Sequence, residues 1–421
     1  MQVKIPYGKS EIALDLKGVN ATVLEPRFVS GLPDEKVAFE ESCQNPIGGP
    51  PLGQAILAED RVAIAIPDAT RPFPSDRVLP WLLEAISHVP KENIVIVNGT
   101  GSHRGNTPDE LVAMVGRQVY DNYRVVNHNA HDAEGLAYAG KSSFGYEVYQ
   151  NRDYVSADKR ILTGFIEPHF MAGYSGGYKA AFPGVTDIDA IMKYHSAMVV
   201  GDPLSTWGNL VGNPTQEHVR AGGRLLGADF LVNVTLNRHR EITRFFCGDV
   251  IEAHEAGCAY VKESAMVGCE RAFPIVITSN NGFPLDQNLY QAVKGMSAAA
   301  QIVEEGGLIL VAAECSDGFP DHGNFRKLLF DYPSPTALLD AIRQPGFAVF
   351  DQWQVQLQGL ICEKARVAIR SELDPREVRK AHLAPVDSLQ AALEAELDRI
   401  GRDAPVAVLP EGPVTAPYLL A

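Results

Sequence analysis

The sequence contains no run of the eighteen or so uninterrupted apolar residues that a membrane-spanning helix needs, and its opening residues, Met-Gln-Val-Lys-Ile-Pro-Tyr-Gly-Lys, hold no apolar leader segment. Both absences lead to the expectation of a cytoplasmic chain with no membrane partner. Cysteine is scarce: six residues in 421, at 43, 247, 258, 269, 315 and 362, with no Cys-x-x-Cys pair and no Cys/His spacing of a zinc site. Reduced, mostly buried thiols are the expected state. Positive charge is in deficit, with 37 Lys and Arg against 52 Asp and Glu and a formal net charge of −15. That argues against nucleic acid or an anionic membrane as the main partner, since both require clustered cations. An anionic small substrate would need a local basic pocket. No low-complexity tract or internal repeat is found.

What is present is an ordinary globular composition, 46% apolar and 21% charged, in a chain long enough for more than one core. Short β-branched runs bounded by glycine alternate with amphipathic runs, the α/β signature. Strands are predicted at Val62 to Pro67, Ile94 to Val97, Tyr123 to Asn127, Ile161 to Ile166 and Phe230 to Thr235, and helices at 75–89, from Thr107, at 188–199 and at 249–266. A composition change at Gly268 to Pro274 places a boundary there. Beyond it, strands are predicted at 275–278, 308–313, 366–370 and 405–409, and helices at 286–304, 335–343 and 388–400. The fold class expected is α/β: two α/β domains, 1–270 and 271–421, with mostly parallel sheets and an active-site cleft between them, the tail 405–421 being able to return to the first domain.

Four segments carry chemistry. Asp68-Ala-Thr70-Arg71-Pro72 follows a strand, where open α/β sheets place ligands, and offers a carboxylate, a hydroxyl and a guanidinium fork. Its ordinary alternative is a turn capped by Asp68 with Arg71 paired to it. Gly99-Thr-Gly-Ser-His103-Arg-Gly105 also follows a strand and has to be weighed as a dinucleotide loop. It fits poorly, since a bulky His-Arg pair occupies the loop and helix signals begin only at Thr107. Thr163 to Gly184 brackets three glycines between His169 and Lys179, reading Gly-Tyr-Ser175-Gly176-Gly177-Tyr-Lys179 at its centre; no packing requirement accounts for that combination, which suggests a ligand loop. It is not a Walker A loop, because Lys179 stands between Tyr178 and Ala180. A lysine among glycines suits phosphate pairing or covalent attachment of a cofactor; a solvated surface lysine is the alternative. On the helix after Asn280-Asn-Gly, with Asp286 as the expected N-cap, Leu285, Leu289, Ala292, Val293 and Met296 form the apolar stripe while Gln287, Tyr290, Gln291 and Lys294 share the adjacent face.

The remaining histidines are treated as structural: His88, His218, His239, His254, His322 and His382 have no sequence partners, and His128 with His131 reads as a polar loop. Trp81, Trp207 and Trp353 are simplest as core or interface aromatics.

Taken as a set, Asp68-Ala-Thr-Arg71-Pro, Gly99-Thr-Gly-Ser-His103-Arg, Glu167-Pro-His169 through Gly-Gly-Tyr-Lys179 and Pro183-Gly, then His195, and finally Tyr290-Gln291-Ala-Val-Lys294 resemble, in order and spacing, the motifs of the nickel-dependent lactate racemase family. The resemblance covers about residues 10 to 420 and implies a racemase or epimerase acting at C2 of a 2-hydroxy acid by proton-coupled hydride transfer. It further implies a nickel-pincer nucleotide, a pyridinium mononucleotide held covalently through a thioamide. Lys179 matches its attachment site and His195 the nickel ligand, imidazole being a suitable partner for nickel. His103 and His169 match the acid/base pair, and Arg71 and Lys294 match catalytic and substrate-carboxylate positions. Asp68, Thr70, Ser175, Gly176, Gly177, Tyr290 and Gln291 match cofactor-site positions. Cofactor-maturation enzymes are the implied partners. Which 2-hydroxy acid is used does not follow, since the pocket's substituent side (Phe165, Phe170, Tyr174 or Trp207) is not assignable. Two other functions stay open from the residues: an NAD-dependent 2-hydroxy acid dehydrogenase, resting on glycines 99, 101 and 105, and a non-catalytic nickel-cofactor-binding protein.

Overall fold

Val62–Pro67 reads Val-Ala-Ile-Ala-Ile-Pro, apolar at every position, and in the computed structural model, which describes residues 1–320 and 323–420, its first five residues are completely buried in the middle of a six-stranded sheet. A strand covered on both faces needs no polar alternation. Its neighbours are Ile94–Gly99 on one side and Lys159–Phe165 on the other, both parallel. Arg124–Asn127 extends the sheet beyond the first of these and Phe230–Leu236 beyond the second, again in parallel. Ile242–Gly248, which the sequence reading did not find, closes the edge antiparallel to Phe230–Leu236. From Val62–Pro67 the chain winds outward one way through two strands and then returns to the opposite side, so the order reverses next to this strand. Crevices at such a reversal, at the carboxyl ends of the strands, are where open α/β sheets bind ligands.

The second six-stranded sheet is parallel throughout, in the order Ala384–Pro385, Arg366–Arg370, Val303–Ala312, Phe273–Ser279, Val406–Leu409, Ala21–Val23. Along its central strands Ile275, Ile277, Leu308 and Leu310 face one core cluster, while Val276, Ile309 and Val311 face another. That is the two-residue period of a sheet buried on both sides. Its strand order also reverses, beside Phe273–Ser279.

The chain divides into two compact units, one of residues 28–194 and 209–264, the other of residues 1–27, 195–208 and 265–421. This differs from the division expected at residue 270 in that residues 1–27, 195–208 and 265–270 fall in the C-terminal unit. The first 27 residues join the C-terminal unit because Ala21–Val23 pairs with Val406–Leu409. The tail stays in that unit as well, with Ala416–Leu419 parallel to Met266–Cys269. Residues 195–208 complete it, so the chain passes from one unit to the other between Tyr194 and His195.

Local expectations met mixed outcomes. The helix after Thr107 starts as predicted, with Thr107 and Glu110 forming a reciprocal capping box. The single helix expected over 188–199 is two short helices, Ile188–Tyr194 and Ala197–Val200, broken at His195. Asp286 is not an N-cap: the helix is Leu289–Ala300, capped by Asn288, and the fully buried Asp286 carboxylate accepts the backbone N–H of Gly8 and of Glu314 instead. Leu285 and Gln287 therefore lie outside the helix, and Leu285 is exposed rather than part of the apolar stripe. Five cysteines are buried, Cys362 is intermediate, and none is paired. No helix among the described residues is long and apolar enough to cross a membrane. His322 lies outside the described residues.

Candidate active site

In the first unit, three loops leave the carboxyl ends of adjacent strands. Asp68, one residue past Val62–Pro67, is 4% exposed, and its two carboxylate oxygens are both used. Oδ2 meets Nδ1 of His103 at 2.8 Å and Oδ1 accepts the Thr70 hydroxyl at 2.7 Å. Arg71 Nη1 in turn donates to Thr70 Oγ1 at 2.9 Å. Burial alone would raise the Asp68 carboxyl, but the hydrogen bond and charge of His103, with help from Arg71 and Thr70, outweigh it and the pKa is lowered. An ionised Asp68 can only accept, so it fixes the proton of neutral His103 on Nδ1 and leaves Nε2 as the basic nitrogen. The ring is nearly half exposed.

The loop carrying His103 is pinned without help from a helix. Gly101 is in the left-handed region (φ 54°) and its N–H donates to the Gly184 carbonyl at 2.9 Å, so the His103 loop lies against the end of the lysine loop. Arg104 is directed onto Glu110, bonding both carboxylate oxygens. The helix that follows begins only at Pro108, so the three glycines do not deliver a helix N-terminus to a pyrophosphate as a dinucleotide fingerprint does.

His169 is held the opposite way. Its Nδ1 accepts the backbone N–H of Met171 at 3.2 Å and of Ala172 at 3.1 Å, which places the proton of the neutral ring on Nε2. The glycines between His169 and Lys179 have packing reasons that the sequence reading missed. A Cβ on Gly173 would lie 2.0 Å from the Asn209 carbonyl oxygen, one on Gly176 2.6 Å from Asn233 Oδ1, and one on Gly177 2.8 Å from the His254 ring. All three have positive φ. Ser175 spends its hydroxyl on the loop itself, donating to the Phe165 carbonyl and accepting the Glu167 N–H, each at 2.9 Å. His254, fully buried, bonds the Ser175 carbonyl at 2.9 Å, and burial pushes its pKa down to about 4, so it is a neutral buttress.

Lys179 sits in the short 3-10 turn Gly177–Ala180 and donates to the Tyr194 hydroxyl at 3.1 Å. The side chain keeps some exposure, but protein surrounds the amine. Burial, and then the positive charge of Arg71, push its pKa down to about 7, with Glu167 pulling the other way. A large fraction of such an amine is neutral and nucleophilic at neutral pH. The influence of Arg71 also ties Lys179 to the cluster of Asp68, Thr70 and His103.

The second unit contains the other expected residues. His195, in the break between the two short helices, stacks on Trp353 with ring centroids 4.4 Å apart and planes at 28°. Trp353 Nε1 donates to the Tyr290 hydroxyl at 3.1 Å. Tyr290, Gln291 and Lys294 lie on the helix Leu289–Ala300, which follows the strand Phe273–Ser279 at its carboxyl end, and all three are partly exposed. Among the described residues no three His, Cys, Asp or Glu side chains gather as a metal site. A lone imidazole fits a metal whose other donors come from a cofactor, which is what the expectation for His195 requires.

Residues 7–208 match the family model of the lactate racemase N-terminal domain, and residues 270–415 that of the lactate racemase C-terminal domain. The chain belongs to the lactate racemase family. It is similar to the lactate racemase of Thermoanaerobacterium thermosaccharolyticum, 33% identical with 97% of each chain covered, and to that of Lactiplantibacillus plantarum, 34% identical with 97% of this chain and 98% of the relative covered. The solved lactate racemase apoprotein from T. thermosaccharolyticum superposes over the whole of both chains with a TM-score of 0.93 at 31% identity. A Thermotoga maritima protein, 18% identical, shares the fold with a TM-score of 0.71, covering 93% of this chain and all of its own.

Membership of the lactate racemase family makes the chain an isomerase and leaves the pocket to be read from its own residues. Trp353, expected as a core or interface aromatic, also touches both His195 and Tyr290, and its neighbours in sequence gave no sign of this. Of the residues considered for the substituent side, Phe165 belongs to the first unit's core, Tyr174 is 2% exposed, and Trp207 donates to Ser297 at 3.0 Å. Phe170 stacks beside His169 at 4.7 Å. His128 is buried on the Thr186 carbonyl while His131 is exposed, so the two do not form a metal pair.

Proposed function

We propose that this enzyme inverts C2 of a 2-hydroxy acid, lactate or a close relative, with a nickel-pincer nucleotide held covalently on Lys179 and its nickel on His195. The observation that carries the reading is the Lys179 amine, enclosed by protein, poised near pH 7 and anchored to Tyr194, the residue before His195 in the chain. Such an amine is a competent partner for an acyl-type linkage, and the single imidazole of His195 suits a metal otherwise coordinated by the nucleotide. When bound, such a nucleotide supplies an electrophilic carbon able to take up and return hydride.

The chain's own groups handle the protons and the charge. His103 Nε2, left as the lone-pair nitrogen by Asp68 on the far side of its ring, takes the hydroxyl proton as the C2 hydrogen departs, leaving a transient 2-keto acid. His169 presents Nε2–H to the carbonyl oxygen, a neutral-imidazole donor fixed by the two backbone N–H groups on Nδ1. Once the keto acid has presented its other face, His103 gives back the proton it took as C2 regains its hydrogen, so no proton is gained or lost overall. Arg71 and Lys294 supply cations for the substrate carboxylate in a chain of net charge −15. Partners are then the small acid and the enzymes that install the nucleotide, in the cytoplasm.

A substrate labelled with deuterium at C2 tests this. Matured enzyme should invert the centre and retain most of the label without added nicotinamide cofactor, and Lys179→Ala should be inactive. Activity that needs NAD and survives Lys179→Ala would mean a dehydrogenase instead, and ligand capture without turnover a binding protein.

A further inference from the structure

The helix Gln352–Lys364 begins Gln-Trp-Gln-Val-Gln-Leu-Gln, and its four glutamines, at 352, 354, 356 and 358, are all 1–2% exposed. Amides so deeply buried normally cost stability unless they are spent on partners. Each of these donates Nε2–H to a backbone carbonyl of another segment. Gln352 reaches His195 at 3.2 Å, Gln356 reaches Ala197 at 2.8 Å, Gln354 reaches Tyr290 at 2.6 Å, and Gln358 reaches Ala381 at 2.7 Å. Gln352 and Gln356 are four residues apart, hence on one face, and between them hold carbonyls two residues apart in the strap that carries His195. The Gln352 Oε1 is itself fixed by the Val349 N–H at 2.9 Å. Gln356 lies so close to the strap that a Cβ on Gly201 would stand 2.7 Å from its Nε2.

The strap needs such support. Its helix, Ala197–Val200, is four residues long, lacks a side-chain cap and is far below the length at which a helix holds itself. Only two helical backbone bonds, Val200 to Ser196 and Gly201 to Ala197, close it.

We propose that Gln352 and Gln356 are positioning residues for His195: they latch the 195–197 backbone to the helix so that the imidazole stays stacked on Trp353. The inference deepens the reading of His195 as nickel ligand and rests on it for its functional consequence. The amide latch itself does not titrate. Glutamine is required over an apolar residue of similar volume because the two carbonyls would otherwise lose a donor.

The test compares the double variant Gln352→Met/Gln356→Met with Gln358→Met, which loses an equivalent bond from the same helix, to Ala381 and not to the strap. In protein made without the maturation enzymes, hydrogen exchange of residues 195–201 should be roughly tenfold faster in the double variant and close to wild type in the control. In matured protein the Lys179 adduct should form in both, with nickel per adduct about fivefold or more lower in the double variant. Exchange over 195–201 no faster than in the control, or nickel per adduct equal to wild type, would overturn the proposal. Should the double variant fold poorly, Gln356→Met alone answers the exchange question. A wild-type chain that carries no adduct after maturation refutes the proposed function instead, and the exchange comparison still decides whether the latch orders the strap.

Discussion

His103 and His195 are both imidazoles in short connections of one chain, yet they are oriented by different forces. His103 is fixed by a buried carboxylate and belongs to a charged relay of Asp68, Thr70 and Arg71. His195 has an indole stacked on its ring and a glutamine amide on its own backbone carbonyl. A group that must gain and lose a proton is held by charge, which sets its tautomer and responds to its protonation. A group that must keep one lone pair aimed at a metal is held here by its ring face and its own backbone.

The largest effects expected from breaking this contrast are on the proton side. Asp68→Asn keeps the shape but removes the charge that selects the Nδ1–H tautomer; kcat is expected to fall about 10²- to 10⁴-fold with the Lys179 adduct and nickel content unchanged. Residual activity above a tenth of wild type would sever Asp68 from the role given to it. His169→Gln preserves an N–H donor without a basic nitrogen, so it should retain at least tenfold more activity than His169→Ala. Equal losses in the two would mean that His169 serves as a base and not as the fixed donor.

Backbone effects come next. Gly177→Ala places a methyl group against His254 at a residue with positive φ, and should cost about 2–4 kcal/mol in urea unfolding of the unadducted protein. An unperturbed midpoint would show that the loop is not packed as described. Smallest is the linkage at Lys179. Its folded pKa, about 7, lies below the ordinary value of 10.5, so between those pH values the unfolded chain binds the extra proton. The unadducted protein should therefore gain stability as pH rises from 7 towards 10, and Lys179→Met should be more stable than wild type at pH 7 and show a flatter slope. An identical slope in the variant would deny that the amine is held neutral.

Much of this arrangement could be read from residues in order. The three loops at strand ends in the first unit were visible because each strand is a continuous apolar run ending in polar and glycine residues, and Thr107 with Glu110 announced its helix through local capping chemistry. The break at His195 was missed although Ser196 is a capping residue type, because the apolar spacing runs on through it. The helix Gln352–Lys364 was invisible for a physical reason: its alternation of glutamine and apolar residues has the period of a strand, and its opening turn, residues 352–356 all buried, needs no apolar stripe. The long-range carbonyls that satisfy its amides have no local signature. The same holds for Asp286, whose donors, Gly8 and Glu314, are distant in sequence.

Peptide mass spectrometry of the matured chain and of its His195→Ala variant, with nickel measured on the same samples, tests the central claim most directly. The account predicts a nucleotide-derived mass on Lys179 in both proteins and nickel in the first only. An enzyme that racemises its substrate with an unmodified Lys179, or a His195→Ala variant that keeps its nickel, would contradict it.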